Sequence, residues 1–152
     1  MASMQPEQIA SELQRLSDIE AIKQLKAEYV RLADAQDWES WSRLFTDDCQ
    51  LHTDGGHIQG RDKVVATISQ SLANASTVHR LHTPEITLTG PDTASAAWPM
   101  SDYVRGTFGG KSMTINGHGY YHEDYVRTAD GWRLKSSRLV RQRCRFHMLA
   151  DA

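Results

Sequence analysis

The sequence predicts one domain of the α+β class, with helices in the first half of the chain and long strands in the second. Apolar residues recur at three- and four-residue spacing as far as Leu32, a pattern typical of amphipathic helices. From Ser76 onward the spacing changes to two, and turns rich in glycine divide the segment into consecutive strands. This order indicates helices packed on one face of a curved antiparallel sheet, within a single domain over residues 1–152.

The first helix is expected to contain an interruption. Its apolar positions run from Ile9 to Leu32, but Ser17-Asp18-Ile19-Glu20 resembles a capping box, in which a side chain bonds the free backbone amides at a helix start. We therefore expect the helix to restart near residue 18.

Shorter elements complete the first half of the chain. Asp37 suits the N-cap of a second helix, because its carboxylate accepts hydrogen bonds from free backbone amides. The expected elements are a helix over 38–45, a strand over 49–53 that returns at 57–59, and a third helix over 61–73.

Four long strands are expected to form the second half, over 77–89, 93–107, 112–128 and 131–146. Pro84 interrupts the first of them, which predicts a bulge near 82–84. The sheet face opposite the helices needs cover, and Ile115, Tyr121 and Tyr125 are expected to contribute to it in a homo-oligomer.

Composition excludes several classes of protein. The chain has 17 Lys+Arg against 19 Asp+Glu, which argues against a nucleic-acid partner because such proteins carry a basic excess. Four Trp, five Tyr and three Phe are too many large anchors for a disordered chain. Two cysteines, no signal-peptide pattern and no apolar run of about 18 residues predict a soluble cytoplasmic protein without a membrane partner.

Seven histidines raise the question of a metal. His79 and His82 are three apart, so on a strand they point to opposite faces. His118 and His122 share a face, but about 13 Å separates their Cα atoms at ~3.3 Å per residue. The spacing therefore predicts no metal site.

An acid–base site is the better candidate. Asp34 lies near the end of the first helix in an apolar context, as either a surface residue or a carboxylate turned into the space between helices and sheet. Strand alternation puts His79 and Leu81 on the inward face. Tyr29 lies five residues before Asp34, about 140° round the helix, so both reach one cavity only if it is wide or the helix end is distorted. Each residue also has a purely structural interpretation, in the core or at the surface.

The last strand leaves an arginine assignment open. Trp132 and Leu134 look core-facing, and by strict alternation Arg138 shares their face whereas Arg141 does not. If Arg141 faces the cavity, a bulge has to intervene. The alternative is a solvated basic edge.

These residues together resemble the SnoaL-like branch of the nuclear-transport-factor-2-like superfamily, and within it the bacterial bile acid 7α-dehydratases. The matching segments are Asp18 to Lys26, Tyr29 with Asp34, His79 with His82-Thr83-Pro84-Glu85-Ile86-Thr87, Ala97-Trp98 with Asp102, Ile115-Asn116-Gly117, Asp130-Gly131-Trp132 and Val140-Arg141. The Asp34 and His79 pair also resembles that of scytalone dehydratases.

The resemblance implies a cone-shaped, cystatin-like α+β barrel with a deep apolar pocket, no cofactor, and a homodimer or homotrimer. It implies catalytic roles for Tyr29, Asp34, His79 and Arg141. It also implies a substrate-binding set of Trp38, Thr53, Trp98, Met100, Asp102 and Tyr120, with Thr53 at the position of a second pocket tyrosine.

On this basis we expect an acid–base lyase that eliminates water from a small, hydrophobic, cyclic carbonyl or hydroxy compound. Asp34 would hold Nδ1–H of His79 and leave Nε2 as the base. Tyr29 would bond a substrate oxygen, and Arg141 would offset developing negative charge. The alternatives are an isomerase or cyclase of the same fold, and a non-catalytic module that binds a ligand or a protein.

Overall fold

The computed structural model describes residues 3–150, so the outermost two residues at each end of the predicted domain lie outside the described part. The helices are α1 Pro6–Ala35, α2 Trp38–Ser42 and α3 Arg61–Leu72. The strands are β1 Phe45–Thr53, β2 Gly56–Gln59, β3 Ala75–Leu81, β4 Glu85–Leu88, β5 Thr93–Phe108, β6 Lys111–Thr128 and β7 Gly131–Met148.

Helix α1 runs through residue 18 without a break, so the expected restart is wrong. Asp18 does not cap a helix start. Its carboxylate accepts hydrogen bonds from the guanidinium of Arg127, at 2.9 and 2.8 Å, and from the indole of Trp132 at 3.1 Å. This contact ties the middle of the helix to the sheet. Among the described helices, none is both long and apolar enough to cross a membrane.

The sheet is mixed, with strand order β2-β1-β7-β6-β5-β3 and β4 paired to β5. The predicted antiparallel pairing holds from β3 to β7, but β1 pairs with β7 in parallel, because the first hairpin returns to the far edge of the meander. The expected single strand over 77–89 is two strands, because residues 82–84, with Pro84, end β3 before β4 begins where only a bulge was expected. Asp37 caps α2, accepting a hydrogen bond from the Ser40 amide at 3.1 Å.

The core lies between the helices and one face of the sheet, which confirms the α+β class. Tyr121 and Tyr125 belong to this core, with 6% and 1% of their surface exposed, so their expected place on the opposite face is wrong. Ile115 is half-buried on the same side of β6, since it pairs with Val104. Side chains do alternate between the two faces along β6, but the residues that face the core are the ones that include Tyr121 and Tyr125.

Two bulges in β7 change which residues face the core. The register against β6 skips Lys135 and then Gln142. A single extra residue reverses the side-chain alternation beyond it. Trp132 and Leu134 therefore point inward before the first bulge, and Arg141 points inward after it.

Candidate active site

Asp34 and His79 form a hydrogen-bonded pair where the end of α1 meets β3. Nδ1 of His79 lies 2.6 Å from Oδ1 of Asp34, and the His79 backbone amide donates to Oδ2 at 2.9 Å. The hydroxyl of Thr77 donates to Oδ1 at 2.8 Å. Gln36, in the left-handed conformation after the helix, fixes this end by donating to the carbonyls of Leu72 and Ala75.

The environment keeps Asp34 ionised. Burial raises the pKa of its carboxyl, but the hydrogen bonds from His79 and Thr77 outweigh burial and leave the pKa below its ordinary value. An ionised carboxylate only accepts hydrogen bonds, so Nδ1 of His79 carries a proton. The neutral imidazole then has Nε2 as an acceptor, which is the form that a general base requires.

His79 borders an apolar cavity of about 130 Å³ lined by residues of α1, α2, α3 and the sheet. Within residues 3–150, no side chain bonds its Nε2. The lining combines apolar side chains with a few polar ones: Tyr29, Ala33, Trp41, Leu51, His52, Thr53, Ile68, Leu72, His79, Tyr121, Ser137 and Leu139. Of the four expected catalytic residues, Tyr29 and His79 line the cavity, and Asp34 supports His79 from behind.

Tyr121 is a cavity residue that the sequence analysis assigned to the wrong face. Its ring lies 6.2 Å from that of Tyr29, centroid to centroid, in an edge-to-face arrangement. Burial raises the pKa of both phenols, so both stay protonated at neutral pH and can donate. The signal that identifies Tyr121 is its pairing with Trp98, which alternation within one strand cannot supply.

A buried ion pair lies behind the two tyrosines. Nζ of Lys26 is 2.6 Å from Oε1 of Glu123, and only 1% of the lysine surface is exposed. The same Nζ lies 3.7 Å from the ring centroids of Tyr29 and Tyr121. Glu123 also accepts hydrogen bonds from the hydroxyls of Ser137 and Tyr125. Burial lowers the pKa of Lys26, and the glutamate partly offsets this.

Arg141 points inward but does not line the cavity. Its guanidinium crosses β6 above Gly117 and donates two hydrogen bonds to the buried carboxylate of Asp102 on β5, at 2.9 and 2.7 Å. A methyl group at Gly117 would overlap both partners, so the crossing requires glycine. Asp102 raises the pKa of Arg141, which therefore remains a cation. Its Nε also lies 3.4 Å from the exposed Asp54 in the β1–β2 turn.

The other expected substrate-binding residues are scattered. Thr53 lines the cavity, but its hydroxyl is used within the β1–β2 turn. Trp98 and Met100 are core residues outside the lining, and the Trp98 indole donates to the Tyr125 hydroxyl at 3.0 Å. Trp38 packs edge-on against the cavity residue Trp41.

Tyr120 lies on the opposite face of the sheet from the cavity, where its ring stacks near His122. A larger polar groove of about 510 Å³ also lies on that face, away from Asp34 and His79. Across residues 3–150, no three His, Cys, Asp or Glu side chains converge as a metal ion requires.

The chain belongs to the SnoaL-like domain family, which it matches over residues 14–138. It is similar to the Probable cyclase FGR4 of Gibberella zeae, with 27% identity over 135 residues, 79% of this chain and 88% of that protein.

Two solved structures share the fold. One is a proposed scytalone dehydratase from Novosphingobium aromaticivorans, with a TM-score of 0.77, 19% identity, and coverage of 91% of this chain and 93% of that one. The other is the hexachlorocyclohexane dehydrochlorinase LinA-type3 from Novosphingobium barchaimii, with a TM-score of 0.77, 17% identity, and coverage of 93% and 96%. The expected SnoaL-like family and the cystatin-like α+β fold are therefore confirmed, whereas the closer likeness to bile acid 7α-dehydratases stays a prediction.

Proposed function

We propose that this protein is a cofactor-independent lyase that removes water from a small cyclic β-hydroxy ketone. The observation that carries the proposal is the His79 imidazole, which Asp34 holds through Nδ1 and which borders an apolar cavity. The names of similar proteins, a cyclase, a dehydratase and a dehydrochlorinase, support acid–base chemistry of this kind.

The reaction begins with proton removal from carbon. Nε2 of His79 takes the proton next to the substrate carbonyl, and the released electron pair forms the double bond of an enolate. Tyr29 donates a hydrogen bond to the enolate oxygen. The bond to the β-hydroxyl then breaks, and that hydroxyl leaves as water with the proton returned by His79. The products are an enone and water.

Arg141 contributes from a distance in this scheme. Its charge is shared with Asp102, which pairs in register with His79 on the neighbouring strand. We assign it the task of holding this wall of the site and of partly offsetting the negative charges nearby. Trp38 packs against the lining residue Trp41, Trp98 pairs in register with the lining residue Tyr121, and Thr53 lines the cavity.

The size of the cavity supports a one-ring substrate. Its volume is about 130 Å³, and an apolar protein cavity of roughly 150 Å³ holds one benzene molecule. A fused multi-ring compound would need the cavity to open. The apolar lining favours a hydrocarbon ring with a single oxygenated edge toward His79 and Tyr29.

The test uses 3-hydroxycyclohexanone and other one-ring β-hydroxy ketones, with enone formation followed by ultraviolet absorbance. His79→Ala should lose at least 10²–10⁴-fold in turnover. His82→Ala, an exposed histidine on the opposite face of the same segment, is the matched control and should retain activity. Near-full turnover by His79→Ala would overturn the mechanism.

Deuterium exchange separates the possible reactions. Proton NMR in heavy water measures removal of the proton next to the carbonyl, whatever the leaving group. Exchange that depends on His79 without enone formation favours the isomerase or cyclase alternative. Absence of both exchange and elimination with every compound favours a binding module.

A further inference from the structure

We propose that Tyr121 is a second oxygen-binding residue, which joins Tyr29 to form a pair of phenol donors for an oxyanion of the substrate. This inference deepens the proposed function. The role of Tyr121 in the reaction rests on that function, whereas its role in binding an oxyanion does not. The supporting observation is that two buried tyrosines line one cavity and that both of their rings lie against the ammonium group of Lys26.

Both tyrosines line the cavity. Among residues 3–150, neither phenol oxygen has a hydrogen-bond partner. The fully buried side-chain polar atoms without a partner are the Trp41 indole nitrogen and the Thr46 hydroxyl oxygen, and neither tyrosine oxygen is among them. The Tyr29 and Tyr121 oxygens are therefore reachable and unpaired, so they can donate to a ligand at no cost to internal bonds.

The ion pair behind the rings makes Lys26 a positioning residue. Its ammonium lies equally close to both ring centroids and is fixed by Glu123, which the Ser137 and Tyr125 hydroxyls hold in turn. A cation over the face of an aromatic ring is attracted to it, so the ammonium group holds both rings in place. It also fixes the distance between the two rings.

Tyr121 shares its cavity with the dyad. His79, Tyr29 and Tyr121 all line the same space of about 130 Å³, and the two tyrosine rings lie 6.2 Å apart, centroid to centroid. A one-ring substrate that fills this cavity therefore contacts the His79 side and the two phenols together. The matching ligand class is a one-ring enolate or phenolate.

The test compares two probes of one ring, 4-nitrophenolate and nitrobenzene, which differ in the oxygen that the tyrosines would bind. Tyr121→Phe and Tyr29→Phe should each weaken 4-nitrophenolate about 10- to 100-fold, as expected for a hydrogen bond to a charged group. Nitrobenzene affinity should stay within about twofold of wild type, since phenylalanine preserves the wall.

Tyr103→Phe is the matched control. It removes a phenol from the neighbouring strand β5, but Tyr103 is exposed and does not line the cavity. It should leave the preference for 4-nitrophenolate over nitrobenzene unchanged. An equal loss in this variant would mean that contact with the cavity phenols does not set the affinity, and would overturn the proposal.

Lys26 needs a double variant, because a lone Glu123 would remain buried and unpaired. Lys26→Met with Glu123→Gln should reduce the phenolate preference several-fold, a change that a purely structural lysine would not cause. An unchanged preference would contradict its positioning role.

Two outcomes separate this inference from the proposed function. Retention of wild-type 4-nitrophenolate affinity by Tyr121→Phe overturns the tyrosine pair, whatever His79 does. Tyrosine-dependent phenolate binding in a protein that catalyses neither exchange nor elimination supports the pair and contradicts the lyase.

Discussion

Two aspartate-centred pairs lie side by side in this protein, and they differ in what they leave free. Asp34 holds His79 through one ring nitrogen, the other has no hydrogen-bond partner among residues 3–150, and the residue borders the cavity. Asp102, the register partner of His79, takes two hydrogen bonds from Arg141, whose guanidinium lies outside the lining. A catalytic group needs hydrogen-bonding capacity left over for substrate, so the first pair suits chemistry and the second suits support.

The largest expected effect comes from the dyad. His79→Ala should reduce turnover of the cyclic β-hydroxy ketone by at least 10²–10⁴-fold. Asp34→Asn should lose most of the turnover, because an amide can donate to Nδ1 and stabilise the wrong tautomer. The double variant should be scarcely worse than His79→Ala, since residues that act as a unit are not additive. Initial rates with matched circular dichroism spectra check this, and multiplicative losses would contradict a single unit.

The second prediction concerns the Arg141–Asp102 pair, for which we expect a large loss of stability and a smaller loss of turnover. Arg141→Met leaves Asp102 buried without its cation, which should cost about 3 kcal/mol in the free energy of unfolding. Turnover of the folded fraction should fall less than in His79→Ala. Urea unfolding with initial rates on the same samples checks it. A stable variant with a loss of turnover as large as that of His79→Ala would make Arg141 the catalytic cation.

A substitution at Gly117 tests the contact between Arg141 and Asp102 without changing any charge. Gly117→Ala puts a methyl group where the guanidinium crosses β6, so the Arg141 side chain has to move. Forced displacement of packed groups costs about 1–3 kcal/mol, and we expect a loss within that range. Gly55→Ala, in the exposed β1–β2 turn where the added carbon meets ordinary contact, is the control. Equal unfolding midpoints for the two variants would show that the crossing is not required.

The sequence predicted the elements because they depend on local patterns, whereas the pairing of Asp34 with His79, 45 residues apart, was implied by the family resemblance. The change of apolar spacing near Ser76, the cap at Asp37 and the inward parity of His79 are each read from a few neighbouring residues. Arg141 could not be assigned in the same way, since its face depends on the bulge at Lys135.

Two other errors have physical causes of the same kind. Ser17-Asp18-Ile19-Glu20 has the composition of a cap, but Asp18 is held by Arg127 from the far end of the chain. Along β6 both faces carry aromatic and polar residues, so alternation could not tell which face holds Tyr121. Long-range pairing decides both cases, and a single sequence does not contain that register.

The smallest expected effect is the response of the dyad to acid. The folded-state pKa of Asp34 lies below its ordinary value, so the carboxylate stabilises the fold above the unfolded-state pKa of about 3.9. That contribution is lost as the pH falls through the lower folded-state pKa. Because the Asp34 side chain is 22% exposed, we expect no more than about 1 kcal/mol. Melting temperatures of wild type and Asp34→Asn should therefore differ at pH 6 and converge toward pH 2.

Asp18 is expected to add a separate loss of stability over the same pH range, since Arg127 lowers its pKa as well. Asp18→Asn should remove that second part and leave the dyad's part intact, because the two carboxylates have no shared partner among their hydrogen bonds. A difference between wild type and Asp34→Asn that stays constant from pH 6 to pH 2 would show that Asp34 stabilises the fold through its shape and not through its charge.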